Sequence, residues 1–590
     1  VRLMMAREIY ETRWIKPLFR LMGVIPVAST DAPRQVVESL RRARYAIEEG
    51  YLVCIFAEGA LTRNGNMRAF RGGFERIVKG TEFPIIPVHI GGAWGSTFSY
   101  YHGKLLSAFP RTVPYPVSVL YGAAMPSTSS PAQVRVAVCE LSCDAFDLRR
   151  NRMRTLNARF VRRARRYWFR RAISDTSGKQ LSFGKTLVGA LALGSVLRRE
   201  EQAEAEMVGI VMPSSVGGAL ANLAVTLMGR VPVNLNFTAS TDAIASAMQQ
   251  CGIQTVITSR QFLEKLPAFE PPERCLFLED LMPRITAGVR IGALVRALCF
   301  TPRMLAGGRR IAPDDVATII FSSGSTGDPK GVMLSHHNLL SNVEAIQLVF
   351  RFEPQDRFCA VLPFFHSFGL TATLWAPLIC GFSAHYHPNP MEGAVIGKMV
   401  REHRLTTMVA TPTFLLSYIR RAAEGDFESL RAVCTGAEKL KPRVADAFER
   451  KFGIRPVEGY GATELSPVGT MSVSDIELGG VPQVGAKSGS VGHPVPGVAV
   501  RIVDPDSFEV LGDNAEGLLQ VKGPNVMLGY LGQPEKTAEV LRDGWYCTGD
   551  IARSDADGFV FLLDRLSRYS KIGGEMVPHM AVEDVLIEGL

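Results

Sequence analysis

The run Phe321-Ser322-Ser323-Gly324-Ser325-Thr326-Gly327-Asp328-Pro329-Lys330-Gly331 concentrates groups suited to holding an anion. Glycines let the backbone turn its N–H groups inward and approach a phosphate closely, hydroxyls add donors, and Lys330 supplies positive charge. An apolar strand at 317–321 precedes the run and a helix-like segment starts near Asn338, so the expected context is strand, loop, helix. The spacing is not the Gly-x-x-x-x-Gly-Lys-Ser/Thr of a kinase-type P-loop, which makes an ordinary NTPase a poor match. A flexible surface loop rarely combines this hydroxyl density with that context.

The elements that must position the loop follow from length and pattern. At 590 residues, two or three independently cored units are expected. With 47% hydrophobic and 21% charged residues, the composition is that of a globular protein without extensive disorder. Residues 1–148 alternate a helical pattern at 33–49 with short apolar runs at 52–56, 85–90 and 117–121, the rhythm of an α/β unit. From 172 to 563 strands (255–258, 317–321, 408–410) again alternate with helices. Residues 564–590 read as the start of a further small domain, with a helix cut off in progress at 581–590. No internal repeat or low-complexity tract interrupts this order.

Between the two large regions, eleven arginines and no acidic residue lie within 149–171. With Phe160, Tyr167, Trp168 and Phe169 interleaved, this segment suits either a solvated helix linking two domains or a membrane surface. Nucleic acid is disfavoured as a partner. The ten cysteines show no Cys-x-x-Cys pair and no His/Cys cluster at metal-ligand spacing, so neither zinc nor a disulfide framework is indicated and a reducing cytoplasmic compartment fits. The uncharged stretch 207–229 is long enough to span a bilayer. Pro213, Ser214, Ser215, Gly217, Gly218 and Asn222 divide it into a strand at 207–212, a turn and a helix at 219–228, so any membrane contact is expected to be peripheral.

The phosphate-binding run, together with Thr435-Gly436-Ala437-Glu438, Gly459-Tyr460-Gly461-Ala462-Thr463-Glu464, Tyr546-Cys547-Thr548-Gly549-Asp550, Asp564-Arg565 and Lys571-Ile572-Gly573-Gly574-Glu575, resembles the acyl-adenylate-forming ligase superfamily, motif by motif and in order. The resemblance implies ATP and Mg²⁺ as cofactors. It implies nucleotide binding by Ser322, Ser323, Gly324, Ser325, Thr326, Gly327, Lys330, Gly436, Ala437, Glu438, Tyr460, Gly461, Thr463, Asp550 and Arg565. Glu464 and Thr326 would hold the metal, Asp550 the ribose hydroxyls, and Arg565 ribose or phosphate. Joining a carboxylate to a phosphate brings two anions together, so positive charge and donors must stand where charge builds up, and Lys330, Thr326 and Glu464 with its metal would supply them. Taken singly, Glu464 could be a helix cap and Asp550 a turn former. The stretch Leu362-Pro363-Phe364-Phe365-His366-Ser367-Phe368-Gly369 resembles the segment flanking the acyl pocket in fatty-acid-activating members. His366 is therefore either a gate that orients the carboxylate or a core histidine, and the apolar setting favours a fatty acid.

Phe56-Ala57-Glu58-Gly59-Ala60-Leu61-Thr62-Arg63, followed by Arg71-Gly72-Gly73, resembles glycerolipid acyltransferases. That implies lysophospholipid phosphate binding by Glu58, Gly59 and Arg63. The family's chemistry also needs a His general base oriented by an Asp five positions later. Residues 1–57 contain no histidine, and the one His-x-x-x-x-Asp is His579 to Asp584, past the hinge. This region is expected to bind without transferring.

The fold class implied is α/β. A partial glycerolipid-acyltransferase domain (1–148) and a basic linker (149–171) precede the large AMP-binding domain (172–563), with the hinge and the start of a truncated carboxy-terminal domain at 564–590. This order is similar to the bacterial bifunctional family that joins acyl-carrier-protein synthetase to 2-acylglycerophosphoethanolamine acyltransferase activity, including versions fused to a transporter. The implied partners are a fatty acid, acyl carrier protein or CoA, a lysophospholipid and the membrane surface at the cytoplasmic face of the inner membrane. The alternatives are an acyl-CoA ligase and a non-catalytic lipid- or nucleotide-binding module serving a transporter. The chain is read as an internal fragment without the transferase His/Asp pair and without the family's distal lysine, and is expected to bind ATP but adenylate weakly.

Overall fold

The computed structural model describes residues 1–28, 32–105, 115–150, 154–200, 206–266, 271, 274–322, 328–572 and 575–578. Its largest sheet has nine strands, in spatial order His493–Pro494, Val468–Met471, Val457–Gly461, Ala432–Thr435, Thr407–Ala410, Arg357–Ala360, Ser383–Tyr386, Arg171–Asp175 and Gln180–Ser182. The six from Val457–Gly461 to Arg171–Asp175 are mutually parallel. Strands covered on both faces need apolar side chains at nearly every position, as in the fully buried Thr407–Ala410. A second sheet of four parallel strands contains Cys275–Phe277, Val256–Thr258, Met207–Ile210 and Val231–Asn234. The uncharged stretch thus divides as expected, into the strand Met207–Ile210 and the helix Val216–Leu227, whose first turn is capped by Ser215 Oγ accepting the Gly218 N–H. Among the described residues, no helix is long and apolar enough to cross a membrane.

Residues 1–148 open with a parallel sheet of Ile25–Val27, Arg2–Ala6 and Val53–Cys54, backed by the helix Pro33–Glu48, and continue with the antiparallel pair Val88–Gly91 and Ser118–Tyr121. The helix Pro131–Asp147 begins with a capping box between Ser130 and Gln133. It then bolts this region to the rest of the chain. Cys139 and Cys143 share an apolar cluster with Ala499 and Trp545, Glu140 pairs with Lys522 at 3.2 Å, and Asp147 meets His337 Nε2 at 3.1 Å.

Two expectations are corrected. First, the loop after Ser322 does not lead straight into a helix. Lys330–Ser335 forms a strand antiparallel to Val316–Ser322, with Ser322 opposite Lys330, and pairs on its other edge with Gly529–Tyr530. The apolar run Val332-Met333-Leu334 earns its place between two partners, and only then does the helix His336–Phe350 begin, under a Ser335/Asn338 capping box. Residues 323–327, and with them Ser323, Gly324, Ser325, Thr326 and Gly327, lie outside the described residues.

Second, the arginine-rich segment is not a free linker. Leu156, Phe160, Val161 and Ala164 form one stripe of the helix Leu156–Arg166 and are buried in the main core. Arg163 Nε donates to the Ile379 carbonyl at 2.7 Å and Arg165 Nε to that of Ala297 at 2.7 Å. Arg159, Arg162 and Arg166 stay exposed. At the other end, Val560–Arg565 pairs with Trp545–Ser554 in an antiparallel sheet, so Asp564 and Arg565 are strand residues. The expected helix at 581–590, with His579 and Asp584, lies outside the described residues.

Phe160 is 0% exposed whereas Phe169, nine residues on, is 91% exposed. Phe160→Ala should lower the thermal unfolding midpoint, with a cost of about 3–5 kcal/mol, while Phe169→Ala should leave it unchanged. Equal midpoints for the two variants would show that the helix is not part of the core.

Candidate active site

Three segments distant in sequence meet at the strand Lys330–Ser335. Lys330, first residue of its strand, places its ammonium 5.2 Å from the centroid of the Tyr530 ring. The Tyr530 hydroxyl donates to Glu464 Oε1 at 2.9 Å. Glu464 is buried on the short turn Thr463–Leu465, and its carbonyl accepts the Met527 N–H at 2.8 Å. Tyr530 arrives through backbone pairing, with Leu531 N–H on the Gly331 carbonyl at 2.8 Å and Leu528 N–H on the Met333 carbonyl at 3.0 Å. Burial and the adjoining Glu464 carboxylate push the Tyr530 phenol upward, so it acts as a neutral donor.

A second chain of contacts lies at the end of the parallel strand Val457–Gly461. The Tyr460 hydroxyl donates to Asp550 Oδ2 at 2.5 Å, and Arg565 Nε stands 2.9 Å from Asp550 Oδ1. Thr548 Oγ1 accepts the Asp550 N–H at 3.0 Å within the strand Trp545–Ser554. Burial raises the Asp550 carboxyl above its usual range, against the lowering influence of the Tyr460 hydrogen bond and the Arg565 charge. Gly461 is required here, because a Cβ would stand 2.1 Å from the Pro467 carbonyl oxygen.

Gly436 and Ala437 follow the neighbouring strand Ala432–Thr435. Ala437 sits at φ 70, a left-handed conformation that costs a side-chain-bearing residue about 1 kcal/mol or more. Glu438 is committed locally, with Oε2 accepting from Thr413 Oγ1 at 2.6 Å. Thr463 reaches Ser367 Oγ at 3.5 Å. His366 caps the short helix Ser367–Gly369, which runs on through a π-helical turn at Leu370–Trp375. Its ring lies 4.6 Å from that of Phe365, which in turn meets Phe237 at 4.8 Å, so an aromatic wall begins at this histidine. His366 is an exposed residue, yet the protein packed around its ring pushes its pKa down and favours the neutral form.

Sequence motifs located Lys330, Glu464, Tyr460, Asp550 and Arg565 but missed Tyr530, the residue that joins the first two. No short pattern marks it. In the amino-terminal region, half-buried Glu58 accepts the Arg68 N–H at 2.8 Å, and Gly59 takes φ 69. Arg63 does not stand open beside them. It is buried, donates through Nε to the Leu478 carbonyl at 2.8 Å and through its backbone N–H to Gln483 Oε1 at 2.7 Å, and lies 3.7 Å over the Tyr100 ring. The exposed cation at this turn is Arg71, whose Nε would be 2.8 Å from a Cβ on Gly59.

Residues 1–91 match the acyltransferase family and residues 160–531 the AMP-binding enzyme family. Among curated relatives, 4-coumarate–CoA ligase-like 4 of Oryza sativa is 30% identical over 389 residues, 64% of this chain and 68% of that protein. The long-chain-fatty-acid–CoA ligase of Bacillus subtilis is 34% identical over 286 residues, 47% of this chain and 49% of that protein. Among solved structures, ATP-bound MatB from Rhodopseudomonas palustris aligns with a TM-score of 0.59 at 26% identity, covering 72% of this chain and 82% of that one. O-succinylbenzoate CoA synthetase (MenE) of Bacillus subtilis, in complex with ATP and magnesium, gives 0.61 at 23% identity over 73% of this chain and 84% of that one, a likeness of fold. The fold is therefore the α/β fold of adenylate-forming enzymes with an acyltransferase region at its amino-terminal side, and the chain, matched over more than half its length, belongs to the AMP-binding enzyme family.

Proposed function

We propose that this protein activates a fatty acid with ATP, forming acyl-AMP and pyrophosphate, and passes the acyl group to the thiol of acyl carrier protein. The observation that carries this reading is the convergence of two clusters, Lys330, Tyr530 and Glu464 in one and Tyr460, Asp550 and Arg565 in the other, on either side of Tyr546. In the first half-reaction a carboxylate oxygen bonds to the α-phosphorus as the bond to pyrophosphate breaks. In the second, the thiol sulfur bonds to the acyl carbon and AMP leaves. Lys330 offsets phosphate charge, and neutral His366 can donate to the carboxylate at the mouth of the aromatic wall. Ionised Asp550 accepts from the two ribose hydroxyls.

Among the described residues, no group of three or more His, Cys, Asp or Glu could hold a metal ion. A single buried carboxylate held by a phenol nevertheless suits Mg²⁺, which binds through one or two carboxylates and completes its shell with phosphate oxygens and water. Glu464, with Thr326, would hold it. The ion would supply charge neutralisation at the phosphates.

CoA is the second reading for the acceptor, favoured by relatives that are CoA ligases. The match of residues 1–91 to acyltransferases and the Glu58-Gly59 turn beside Arg71 support re-acylation of a lysophospholipid as the companion activity, at the cytoplasmic face of the bacterial inner membrane.

Fatty-acid-dependent ATP–pyrophosphate exchange by the full-length protein should fall by about 10²–10³ in Lys330→Ala and Glu464→Ala. It should fall about tenfold in Tyr530→Phe, which keeps the ring and loses one hydrogen bond to a charged group. Undiminished exchange in Lys330→Ala would refute the role given to this lysine, and absence of fatty-acid-dependent exchange in the parent would leave a non-catalytic binding module. With holo-acyl carrier protein and CoA compared at equal concentration, acyl transfer should run faster to the carrier, and preference for CoA would make the protein an acyl-CoA ligase. A pH series tests Asp550. Because its carboxyl is raised and the ionised form binds ribose, ATP affinity should fall on acidification at a higher pH than for an ordinary aspartate. Arg565→Gln removes a lowering influence, so the acid limb of KM for ATP should move further up. An acid limb that stays in place would separate Arg565 from this carboxylate.

A further inference from the structure

The helix Ala287–Cys299 buries only Ala293 and Ala297. Its large aliphatic residues Ile291, Leu294, Val295 and Leu298 are 63%, 40%, 49% and 54% exposed. Their spacing, i, i+3, i+4 and i+7, is that of a stripe a globular protein turns inward against its core. Here the stripe faces solvent, and exposed Met282 and Met304 lie beyond its two ends.

The charge around the stripe has one sign. Six arginines and no acidic residue lie between Asp280 and Asp314. Arg284 is tied to Glu200 and Arg296 to Ser195, while Arg290, Arg303, Arg309 and Arg310 are exposed. The nearest acidic residues upstream are engaged, Asp280 by Arg260 and Glu279 by Ser259. The helix Leu156–Arg166 adjoins this one, since Arg165 donates to the carbonyls of Ala297 and Phe300, and it adds Arg159, Arg162 and Arg166 on its exposed side, with Phe169 beyond its end.

We propose that this face seats the protein on an anionic phospholipid surface, the aliphatic stripe entering the boundary between headgroups and acyl chains and the arginines meeting lipid phosphates. An acidic protein partner would satisfy the arginines alone. A lipid surface satisfies both the arginines and four large aliphatic side chains. The helix is ~20 Å long, so it lies in the plane of the interface. The inference rests on the membrane placement proposed above and is independent of the ligase chemistry, so each can fail alone.

The test is co-flotation of the purified chain with vesicles of phosphatidylglycerol and phosphatidylethanolamine, compared with phosphatidylcholine vesicles, across a salt series. The chain should float with the anionic vesicles and be released as salt rises. The double variant Ile291→Ser/Leu298→Ser should bind at least about tenfold more weakly, because two exposed apolar anchors are lost. Arg290→Gln/Arg310→Gln should weaken binding and flatten its salt dependence. ATP binding by equilibrium titration should match the parent in both variants, which shows that the fold survives and reads the nucleotide site separately. The proposal is overturned if the parent ignores anionic vesicles or if the aliphatic variant binds as well as the parent. It is equally overturned if the parent fails to bind vesicles but forms a dimer that the aliphatic variant dissolves, or captures holo-acyl carrier protein in a manner the arginine variant abolishes.

Discussion

The segment 524–531 is the constraint on which the candidate site depends. Asn338 Nδ2 donates to the carbonyls of Pro524 and Val526, both at 2.8 Å, and Asn525 Nδ2 to those of Leu465 and Val468, at 2.9 and 3.0 Å. Backbone bonds then reach Glu464 on one side and the strand of Lys330 on the other. Buried backbone groups in an irregular segment must find partners, and here two asparagines provide them. One stretch of main chain therefore fixes the positions of a cation, a phenol and a carboxylate that come from three separate places in the sequence. Charge-stabilising groups act best when their positions are set in advance, and a backbone scaffold sets them more firmly than side-chain contacts would.

The cluster of Tyr460, Asp550 and Arg565 is held by balance. Asp550 is buried enough to be pushed towards its neutral form, while a phenol and a guanidinium favour its ionised form. Its two oxygens are each engaged by a different element, Tyr460 from the parallel sheet and Arg565 from the antiparallel one. The carboxylate is thereby oriented from both sides. The two sheets must be correctly docked for either contact to exist, so this site reports on the packing between them.

Much of this was legible in residue types. The hydroxyl- and glycine-rich loop, the Gly-Tyr-Gly run ending in Glu464 and the Thr-Gly-Asp run carry local chemistry that spacing exposes. Tyr530 was not legible, because a Gly-Tyr pair after a Gly/Pro-rich stretch reads as a turn and gains its role only through pairing with a strand far upstream. The strand Lys330–Ser335 was missed for the same reason, since its second edge is covered by those residues. Glu438 matched a motif yet is occupied by Thr413, a partner that no spacing rule supplies. The arginine-rich segment was ambiguous because composition does not say which face is used. Once Leu156, Phe160, Val161 and Ala164 turn inward, the segment is core on one side and a cationic surface on the other.

Arg63 shows how far such reading goes. A buried guanidinium is tolerated only where its donors find acceptors. Leu61 and Leu478 offer carbonyls, Tyr100 an aromatic face, and the hairpin Ile476–Leu478 with Val481–Gln483 brings Gln483 to the same loop. Arg68 also donates to Gln483 and to the Pro482 carbonyl, and the Arg63 carbonyl accepts from Arg351. The loop 61–68 is thereby a joint between the two regions. Its amino-terminal neighbour, the Glu58-Gly59 turn, is left with Arg71 as its open cation. An anion held at that turn would sit within a few residues of the contacts by which the hairpin Ile476–Leu478 and Val481–Gln483 joins the two regions.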